Sequence, residues 1–566
     1  MVRAMLPLSA EVDDAAARLA RTLPLHPLVA RVLARRGYAD ARTAGSFLSP
    51  MLAEMSRPDA MADRDAAADR LARAARNGER VVVFGDYDVD GLTSTALLTR
   101  VLRTLGAEVI PRVASRFDGG YGLSATALAR ALDDGPAVLV TCDCGTSDHE
   151  RLAEARRRGV DCVVIDHHKV PDEPLPAFAF LNPHRPDCGS TFKHMASVGL
   201  AFSVGAGVRQ RLGHKLDMRA FLDLVALGTV ADVAPLHGDN RTLTRHGIAR
   251  IDAGDASPGV RALKAAAKLR YAMTARDVSF SLAPMLNAPG RLGSPQPTLD
   301  LLLSADDAEA APRAAALAAA NTRRKELSAA LVETAFAQAR TLYGDAPSAG
   351  VVVAGEGWHA GMGGIVAGRL AERLGTAVCV IAVENGVGVG SVRAPRGTKL
   401  YDAVRACSGL LETFGGHDAA AGLSLRASQV DAFRAAFAEA VRNAGGAAPE
   451  PVVTDGDLSE GDLDATLADG LRALEPTGEG NPEVLVRVRG ARLAEVRSIQ
   501  DQHLRLGLAV GRRRLPAFLR DGVALRALGS VPPERGLVDV VGALRLDPWS
   551  GPAAVQVDVR TITAAG

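Results

Sequence analysis

This sequence of 566 residues lacks the features that would mark a membrane or secreted protein. No apolar run reaches the roughly 18 residues that a membrane-spanning helix needs, so no membrane partner is expected. The amino terminus has no signal-peptide apolar stretch. The six cysteines show no zinc-ribbon spacing, and a chain of this size does not need disulfides, so a reducing cytoplasm is the expected location.

The chain also lacks an excess of charge of either sign, because its net charge is only +1. Composition alone therefore gives no nucleic-acid signature. Lysine supplies only 7 of the 66 basic residues, so nearly all side-chain cations are arginines, whose planar fork suits phosphate. This excess is more often an effect of genomic base composition than of function, so individual positions carry the argument. No solenoid repeat or low-complexity tract is present.

Strand and helix patterns divide the chain into five parts. Residues 1–75 have helical periodicity and predict a helical N-terminal region. From residue 76, short apolar runs alternate with helical patterns, which predicts a parallel sheet with helices on both faces over 76–304. Residues 305–342 are free of glycine and have one proline, Pro312, which favours a long connecting helix. A second α/β region over 343–444, a linker at 445–451 and a small β-barrel over 452–566 complete the prediction.

Three carboxylates follow the first buried strand of the predicted sheet. Val81–Phe84 is short, apolar and mostly β-branched, and Asp86, Asp88 and Asp90 come directly after Gly85. Three like charges at a strand end repel one another unless a cation lies among them, which favours a divalent metal site. The alternative is an aspartate-rich turn that caps the following helix, predicted from Thr93 to Leu105.

Other acidic and imidazole side chains follow neighbouring strands. Asp143 ends one predicted strand, and Asp166, His167 and His168 end another, while Asp232 follows a further apolar run. Because the carboxyl ends of parallel strands share one edge of a sheet, these side chains are expected to converge there. Mixed carboxylate and imidazole ligands suit Mn²⁺ or Mg²⁺ better than zinc or iron. Cys142 and Cys144 are interpreted as packing residues.

Several short motifs, in order, resemble those of the DHH phosphoesterase family. The first four are Asp86–Gly91, Asp143–Gly145, Asp166–His168 and Gly228–Leu236. The segments that resemble the DHH-associated region are Asn287–Arg291, Gly357–Gly361, Gly364–Arg369, Gly390–Arg393 and Phe414–His417. Glu475–Pro482 resembles the start of the third domain found in the single-strand-specific exonucleases of this family, and the barrel after it resembles an OB fold. Each motif is weak alone, but their order is specific.

The resemblance implies a centre with two metal ions, Mn²⁺ or Mg²⁺. One ion would be held by Asp88 and Asp143, and the other by Asp90, Asp143, His167 and Asp232. His168 would contact the scissile phosphate, Asp166 would orient the histidines, and Asp86 would lie in the first or second ligand shell. The resemblance also implies phosphate contacts: Arg116, Ser391 and Arg393 for the 5′ phosphate, and Arg291 and His417 for phosphates nearby.

Two positions depart from the pattern of the family. Distant pyrophosphatase relatives have a ligating histidine where this chain has Phe84, so the first metal is expected to bind more loosely. The family usually has serine where this chain has Ala394, which removes one hydroxyl contact to phosphate.

The function that the resemblance implies is 5′→3′ degradation of single-stranded DNA to 5′-mononucleotides, in DNA repair and recombination. Candidate partners are a single-strand-binding protein and a helicase. One alternative is a DHH phosphodiesterase that acts on short oligonucleotides or cyclic dinucleotides. The other is a DNA-binding scaffold without catalysis. Only 4% of residues are aromatic, so contacts to the DNA backbone, with strong salt dependence, are expected to outweigh base stacking.

Overall fold

The computed structural model describes residues 10–117, 122–345, 347, 349–417, 419–444, 453–527, 529, 531, 536–547, 550–551 and 553–565. The predicted linker at 445–451 and residues 118–121 of the predicted phosphate-binding loop lie outside the described residues. The described strands form two five-stranded sheets and one six-stranded sheet. No helix of the described residues is both long enough and apolar enough to span a membrane.

The chain begins with four helices that join two different hydrophobic cores. These are α1 (Ala10–Thr22), α2 (Pro27–Arg35), α3 (Ala41–Leu48) and α4 (Arg64–Asn77). Apolar residues of α1–α3, such as Leu19 and Leu33, pack with residues of the C-terminal barrel. Helix α4 instead packs Leu71 and its alanines against the first sheet. The N-terminal region predicted as one unit therefore contributes to two bodies.

The first sheet is parallel, in the strand order β2-β1-β3-β4-β5. Val81, Val82 and Val83 are fully buried, because helices cover both faces of a parallel sheet. The strands are β1 (Arg80–Gly85), β2 (Glu108–Val113), β3 (Val138–Cys142), β4 (Asp161–Ile165) and β5 (Ala179–Leu181), with helices α5 (Val89–Thr104), α6 (Ala125–Asp133) and α7 (His149–Arg157) between them. Helix α5 begins four residues before the predicted Thr93, because Asp88 caps it.

A helical layer follows the first sheet and leads to the long connecting helix. Its members are α8 (Ser197–Arg211), α9 (Leu222–Ala231), α10 (Gly238–Ala253), α11 (Pro258–Ala266), α12 (Ala275–Asp277), α13 (Ala283–Leu286), α14 (Ala288–Leu292), α15 (Gln296–Leu302) and α16 (Asp307–Tyr343). Residues 222–230 of α9 are all buried, as expected for a helix that is apolar on every side. Gly228 lies inside α9, so the fourth motif begins within a helix.

The second sheet is mixed, in the order β6-β7-β8-β10-β9, and only β6 and β7 run parallel. Its elements are β6 (Val351–Glu356), α17 (Gly363–Leu374), β7 (Val378–Glu384), β8 (Val387–Arg393), α18 (Leu400–Ala406), β9 (Thr413–His417), β10 (Ala420–Arg426) and α19 (Val430–Ala444). Cys379 and Phe433 lie in the core on one side, and Val351 and Val366 lie in the core beneath α16 and α17.

The third sheet closes into a barrel, because β12 pairs with both β13 and β15. Its elements are β11 (Gly456–Asp457), α20 (Ala465–Leu474), β12 (Val484–Ile499), β13 (His503–Val510), β14 (Arg513–Leu519), α21 (Gly522–Ala527), β15 (Leu537–Leu546) and β16 (Val555–Ala564). The predicted fold class, two α/β regions joined by a long helix with an OB-like barrel, is confirmed.

One arginine ties the first α/β region to the N-terminal helices and to the barrel. Arg241 of α10 is buried and donates hydrogen bonds to the carbonyl oxygens of Phe47 (2.9 Å), Ala473 (2.9 Å) and Leu474 (3.0 Å). Close by, the backbone N–H of Leu236 donates to the carbonyl oxygen of Glu479 at 2.6 Å. The segment Glu475–Pro482 therefore contacts the end of the fourth predicted motif, a few residues from Asp232.

Candidate metal centre and phosphate cleft

Three predicted aspartates lie side by side at the carboxyl edge of the first sheet. The parallel hydrogen-bonding pattern continues one residue beyond each strand: Asp86 N–H donates to Cys142 O (3.1 Å), Asp143 N–H to Ile165 O (2.9 Å) and Asp166 N–H to Leu181 O (3.0 Å). Because β1, β3 and β4 are neighbours, this register places Asp86, Asp143 and Asp166 in a row. Asp143 has φ +63°, a left-handed conformation that aspartate tolerates better than most residues.

The first turn of α5 brings two more carboxylates to the same edge. Asp88 Oδ1 accepts hydrogen bonds from the backbone N–H groups of Asp90 (2.9 Å) and Gly91 (3.1 Å), so Asp88 is a helix cap as well as a candidate ligand. Asp90 is fully buried, and its carboxylate accepts from Ser197 N–H (2.8 Å) and Val198 N–H (2.9 Å) at the start of α8. The turn can therefore cap helix α5 and also offer metal ligands, so the two interpretations drawn from the sequence are compatible.

Close packing explains the glycines of these motifs. A Cβ at Gly228 would lie 2.4 Å from Thr93 Oγ1 and 2.9 Å from Asp90 Oδ1. A Cβ at Gly91 would lie 2.5 Å from the carbonyl oxygen of Asp86. Helices α5 and α9 reach their positions beside the aspartates only because these two residues have no side chain.

Candidate ligand atoms form three overlapping groups, each with its atoms within 4.8 Å of one another. The groups are Asp86 with Asp88 and Asp143, then Asp90 with His167 and Asp232, then Asp143 with His167 and His168. The Nε2 atom of His167 lies 3.3 Å from Asp143 Oδ1 and 3.8 Å from Asp232 Oδ2. Asp143 and His167 each belong to two groups, so the edge offers two adjoining sites.

The electrostatics of the edge favour a bound cation. Burial, reinforced by the neighbouring carboxylates, raises the pKa of Asp143 well above its usual value and the pKa of Asp232 to about 9. The same causes raise the pKa of Asp90 to about 7. Burial and the charge of His168 lower the pKa of His167 to about 4, so His167 is neutral and does not supply the compensating charge. Its buried Nε2 has no hydrogen-bond partner among the described residues, and a divalent metal fits both observations.

Asp166 organises the two histidines and is not itself in any of the three ligand groups. Its Oδ1 accepts from the backbone N–H groups of His167 (2.8 Å) and His168 (3.2 Å) and lies 2.7 Å from His168 Nδ1. Burial alone would raise the pKa of Asp166, but the hydrogen bond from His168 and the charge on that ring lower it to about 2. Burial opposes protonation of His168, yet Asp166 raises its pKa above the usual value. Asp166 therefore favours the protonated form of His168 beside the candidate ligand groups.

Arginines from both α/β regions lie close to one another, and one of them lies beside this centre. The guanidinium of Arg116 lies 4.1 Å from the ring centre of Tyr87, the residue between Asp86 and Asp88. Arg291 of α14 donates to the carbonyl oxygen of Gly361 at 3.3 Å. Burial lowers the pKa of Arg291 to about 10, and the nearby charges of Arg116, Arg324 and Arg393 add to the effect. These four guanidinium groups therefore share one electrostatic environment.

Ser391 and Arg393 of β8 lie over the start of α17. A Cβ at Gly363 would lie 3.1 Å from Ser391 Oγ, and one at Gly364 would lie 3.0 Å from a terminal nitrogen of Arg393. Backbone N–H groups at a helix start favour an anion, and Arg393 adds a full positive charge there. The first turn of α17 with these two side chains is thus suited to phosphate.

Two other residues named from the sequence, His417 and Phe84, have contrasting surroundings. The register places Arg393, Ala420 and His417 side by side across β8, β10 and β9, and the His417 ring is exposed. Phe84 is buried and packs with Leu123 and Val164 in an apolar core of the first sheet. It also lines a cavity of about 650 Å³ with Ser115, Phe117 and His359.

Sequence reasoning missed three residues of the site. Ser197 donates a hydrogen bond from Oγ to Asp143 Oδ1 at 3.1 Å. Ser197 belongs to none of the motifs quoted from the sequence. Arg324 lies near Arg291, and Arg369 lies near Arg324, because each is among the causes that lower the pKa of its neighbour. Arg369 ends the motif Gly364–Arg369, but no role was assigned to it, and nothing in this arginine-rich sequence separates Arg324 from surface arginines.

Known proteins resemble this chain along most of its length. Residues 80–229 match the family model described as the DHH family N-terminal domain, residues 348–443 match the DHHA1 domain, and residues 454–561 match the RecJ OB domain. The chain is 35% identical over 574 residues to the single-stranded-DNA-specific exonuclease RecJ of Salmonella typhimurium, covering 97% of each protein. It is 37% identical over 516 residues to the RecJ of Dickeya dadantii, covering 87% of this chain and 88% of that protein.

Solved structures show the same likeness. The crystal structure of RecJ from Thermus thermophilus in complex with Mn²⁺ matches with a TM-score of 0.82 and 31% identity, covering all of this chain and 79% of that one. The Mg²⁺ complex of the same protein matches with a TM-score of 0.76 and 30% identity, covering all of this chain and 78% of that one.

Proposed function

Because this chain belongs to the RecJ family of single-stranded-DNA-specific exonucleases, we propose that it degrades single-stranded DNA from the 5′ end and releases 5′-mononucleotides. It is a metal-dependent exonuclease of single-stranded DNA. The observation that carries the proposal is the set of three ligand groups that are linked through Asp143 and His167, with several arginines close together nearby.

Two divalent ions fit the two adjoining groups. Asp88 and Asp143 would hold one ion with Asp86 beside them, and Asp90, His167 and Asp232 would hold the other with Asp143 shared. When bound, such ions activate a water molecule and neutralise the charge that develops on a phosphate under attack. The raised pKa values of Asp90, Asp143 and Asp232 mean that these carboxylates lose protons as a cation enters.

The histidines would have separate roles. Neutral His167 offers a nitrogen ligand, while His168, kept protonated by Asp166, would donate a hydrogen bond to a non-bridging oxygen of the scissile phosphate. Asp166 fixes the ring of His168 and both backbone N–H groups. The leaving group is the 3′ oxygen of the terminal nucleotide, which gives a 5′-mononucleotide.

Direction would come from the cleft. Arg116, Ser391 and Arg393 are proposed to hold the 5′ phosphate, with Arg291 and His417 at phosphates nearby. The first turn of α17 supports this role, because it joins backbone N–H groups to the side chains of Ser391 and Arg393. A cleft lined by both α/β regions would admit a single strand and exclude a duplex.

The remaining proposals concern the strand beyond the cleft and the cellular setting. The barrel would bind the strand chiefly through its backbone, with affinity that falls as salt rises. We propose roles in DNA repair and recombination, in the cytoplasm, with a single-strand-binding protein and a helicase as partners. We also propose that Mn²⁺ supports faster cleavage than Mg²⁺, because His167 provides a nitrogen ligand. Nothing favours a phosphodiesterase of cyclic dinucleotides, and the C-terminal match to the RecJ OB domain argues against it.

The decisive test uses DNA and RNA oligomers labelled at the 5′ or 3′ end, with Mn²⁺ present, and follows product length over time. Our proposal expects a 5′ label to appear at once as a mononucleotide, while a 3′ label moves through a ladder of shortened strands. RNA should be cut more slowly than DNA. Release of the 3′ label first, or internal cleavage, would contradict the proposed direction.

A further inference from the structure

The start of helix α8 contacts the metal edge of the first sheet through Ser197. This residue is fully buried, and its hydroxyl donates a hydrogen bond to Asp143 Oδ1 at 3.1 Å. Its backbone N–H donates to Asp90 Oδ2 at 2.8 Å, and the next N–H, that of Val198, donates to Asp90 Oδ1 at 2.9 Å. Ser197 therefore holds both the carboxylate that follows β3 and the buried carboxylate in the first turn of α5.

These two carboxylates belong to different ligand groups. Asp90 belongs to the group that contains Asp232, whereas Asp143 belongs to the other two groups. The oxygen of Asp143 that accepts the hydrogen bond from Ser197 also lies 3.3 Å from His167 Nε2. His167 is the imidazole that links the group of Asp90 to a group of Asp143. The hydroxyl of Ser197 thus acts on Asp143 at the atom that faces this linking imidazole.

The hydrogen bond to Asp143 depends on the residue type at position 197. The bonds that fix Asp88 and Asp90 come from backbone N–H groups, which every residue except proline supplies. The bond to Asp143 comes from a side-chain hydroxyl. Replacement of Ser197 by alanine would therefore remove the donor to Asp143 and keep the backbone donor to Asp90.

Helix α8 does not need this hydroxyl for its own hydrogen bonding. The helix begins at Ser197, and the residue at the capping position before it, Ala196, makes no side-chain cap. The carboxylate of Asp90 takes that place, because it accepts two N–H groups of the first turn. The Ser197 hydroxyl donates to Asp143 instead of to a backbone carbonyl of its own helix. The contact therefore serves the metal edge.

We propose that Ser197 is a positioning residue of the metal centre. Its hydroxyl holds Asp143 in the orientation in which two adjoining sites share it, while its backbone N–H holds Asp90 of the neighbouring group. This inference rests on the proposed metal centre. Groups that hydrogen-bond to metal ligands orient them, and their loss typically weakens metal binding by about 10- to 100-fold. Loss of the Ser197 hydroxyl should therefore weaken metal binding and slow cleavage only where metal is limiting.

The binding test titrates Mn²⁺ into the metal-free full chain without DNA and measures free Mn²⁺ by electron paramagnetic resonance. Wild type should bind two ions, and Ser197→Ala should bind Mn²⁺ about 10-fold more weakly. The matched control is Ser203→Ala, because Ser203 lies on the same helix and its buried Oγ has no hydrogen-bond partner in the described part of the chain. Ser203→Ala should bind Mn²⁺ as wild type does.

A cleavage test separates positioning from a direct part in the chemistry. Ser197→Ala should need about 10-fold more Mn²⁺ for half-maximal rate, while its kcat in saturating Mn²⁺ should stay within about 3-fold of the wild-type value. In EDTA the Tm values of Ser197→Ala and Ser203→Ala should agree within about 3 °C, as expected when neither change damages the fold.

The possible failures are distinguishable. If wild type binds fewer than two Mn²⁺ ions, the proposed metal centre itself fails. If wild type binds two ions and Ser197→Ala binds them equally well, the metal centre stands and the proposed role of Ser197 is wrong. A fall in kcat at saturating Mn²⁺ with unchanged affinity would also overturn that role, and so would a Tm of Ser197→Ala in EDTA far below that of Ser203→Ala.

Discussion

The two sides of the cleft are built in opposite ways. On the metal side, carboxylates follow strand ends and are fixed by backbone N–H groups, such as those of Ser197 and Val198 that hold Asp90. On the phosphate side, guanidinium groups project from a loop, from helices and from a strand end, and Arg116 and Arg324 each have a buried Nε without a partner among the described residues. The first side is ordered by hydrogen bonds within the protein, whereas the second leaves these donors unpaired.

This contrast teaches how binding and chemistry are divided. The fixed carboxylates of the metal side have raised pKa values and bind cations. The metal side should therefore not support cleavage until an ion binds. The arginines remain charged across physiological pH, because even Arg291 keeps a pKa of about 10. Changes on the metal side should therefore abolish cleavage and spare DNA binding, while changes on the phosphate side should alter substrate choice.

The largest expected effect is that of Asp143→Asn. Asparagine keeps the shape of the side chain and tolerates the left-handed backbone at position 143. It removes the charge of Asp143, the carboxylate that belongs to two of the three ligand groups. Cleavage should fall by about 10³-fold or more, because the metal-dependent chemistry loses its shared ligand. Binding of single-stranded DNA, measured by fluorescence anisotropy, should change less than about 3-fold, because phosphate contacts elsewhere supply the affinity.

Asp161→Asn is the matched control for this variant. Asp161 begins β4, at the opposite end of that strand from Asp166, and pairs with Arg70 at 2.6 Å. It should retain nearly full activity. If Asp143→Asn keeps more than a few per cent of the wild-type rate, the assignment of Asp143 as a shared ligand is wrong.

The two sides should also respond differently to pH. Asp90 and Asp232 have pKa values of about 7 and 9 without metal, so their protons compete with the ion, and Mn²⁺ affinity should rise from pH 6 to pH 8.5. Competition by one proton changes the dissociation constant by up to about 10-fold per pH unit below the pKa. DNA binding in EDTA should stay nearly constant over the same range.

The raised pKa values of these carboxylates also determine how the stability of the metal-free protein changes with pH. Carboxylates with raised pKa bind more protons in the folded than in the unfolded chain, so the metal-free protein should lose stability as pH rises from about 4 toward 9. Saturating Mn²⁺ should therefore raise Tm more at pH 8.5 than at pH 6, measured by differential scanning fluorimetry. An equal rise at both values would show that the carboxylates are already ionised without metal.

A smaller and more selective effect is expected from Arg393→Lys. Lysine keeps the charge above the first turn of α17 but loses the fork that holds two phosphate oxygens. The ratio of kcat/KM for 5′-phosphate over 5′-hydroxyl oligomers should fall about 10-fold, with the 5′-hydroxyl value nearly unchanged. The control is Arg396→Lys, since the Arg396 side chain is 92% exposed. Equal losses on both substrates would remove the argument for a 5′ phosphate pocket.

The difference between the two sides also explains how much the sequence could predict. Asp86, Asp143 and Asp166 follow neighbouring parallel strands, so the strand register places them at one edge of the sheet. The sequence therefore predicted that the candidate ligands would converge there, and their ligand atoms do lie together. Asp88 was offered as metal ligand or helix cap, and its geometry serves both. The start of α5 was misjudged, because the cap lies within the acidic motif itself.

Long-range packing set the limits of prediction. Nothing in residues 10–48 indicates that their apolar faces meet the barrel more than 400 positions later, as Leu33 does. Nor does the sequence separate Arg324, buried in the cleft, from Arg323, exposed on the same helix, because two adjacent arginines differ only in the face that tertiary packing assigns to them.

The smallest expected effect is the difference in cleavage rate between Mn²⁺ and Mg²⁺. It tests the contribution of one ring nitrogen on the metal side. His167 Nε2 lies within 4.8 Å of the ligand atoms of Asp90 and Asp232, so it adds one nitrogen to a group otherwise made of oxygens. Nitrogen ligands favour Mn²⁺ over Mg²⁺, which prefers oxygen, so wild type should turn over several-fold faster in saturating Mn²⁺.

His167→Asn replaces that nitrogen with an amide oxygen. The variant should be slower in both metals, but the ratio of the two rates should fall toward one. Equal rates in wild type would contradict the preference, and an unchanged ratio in the variant would show that the preference does not come from His167.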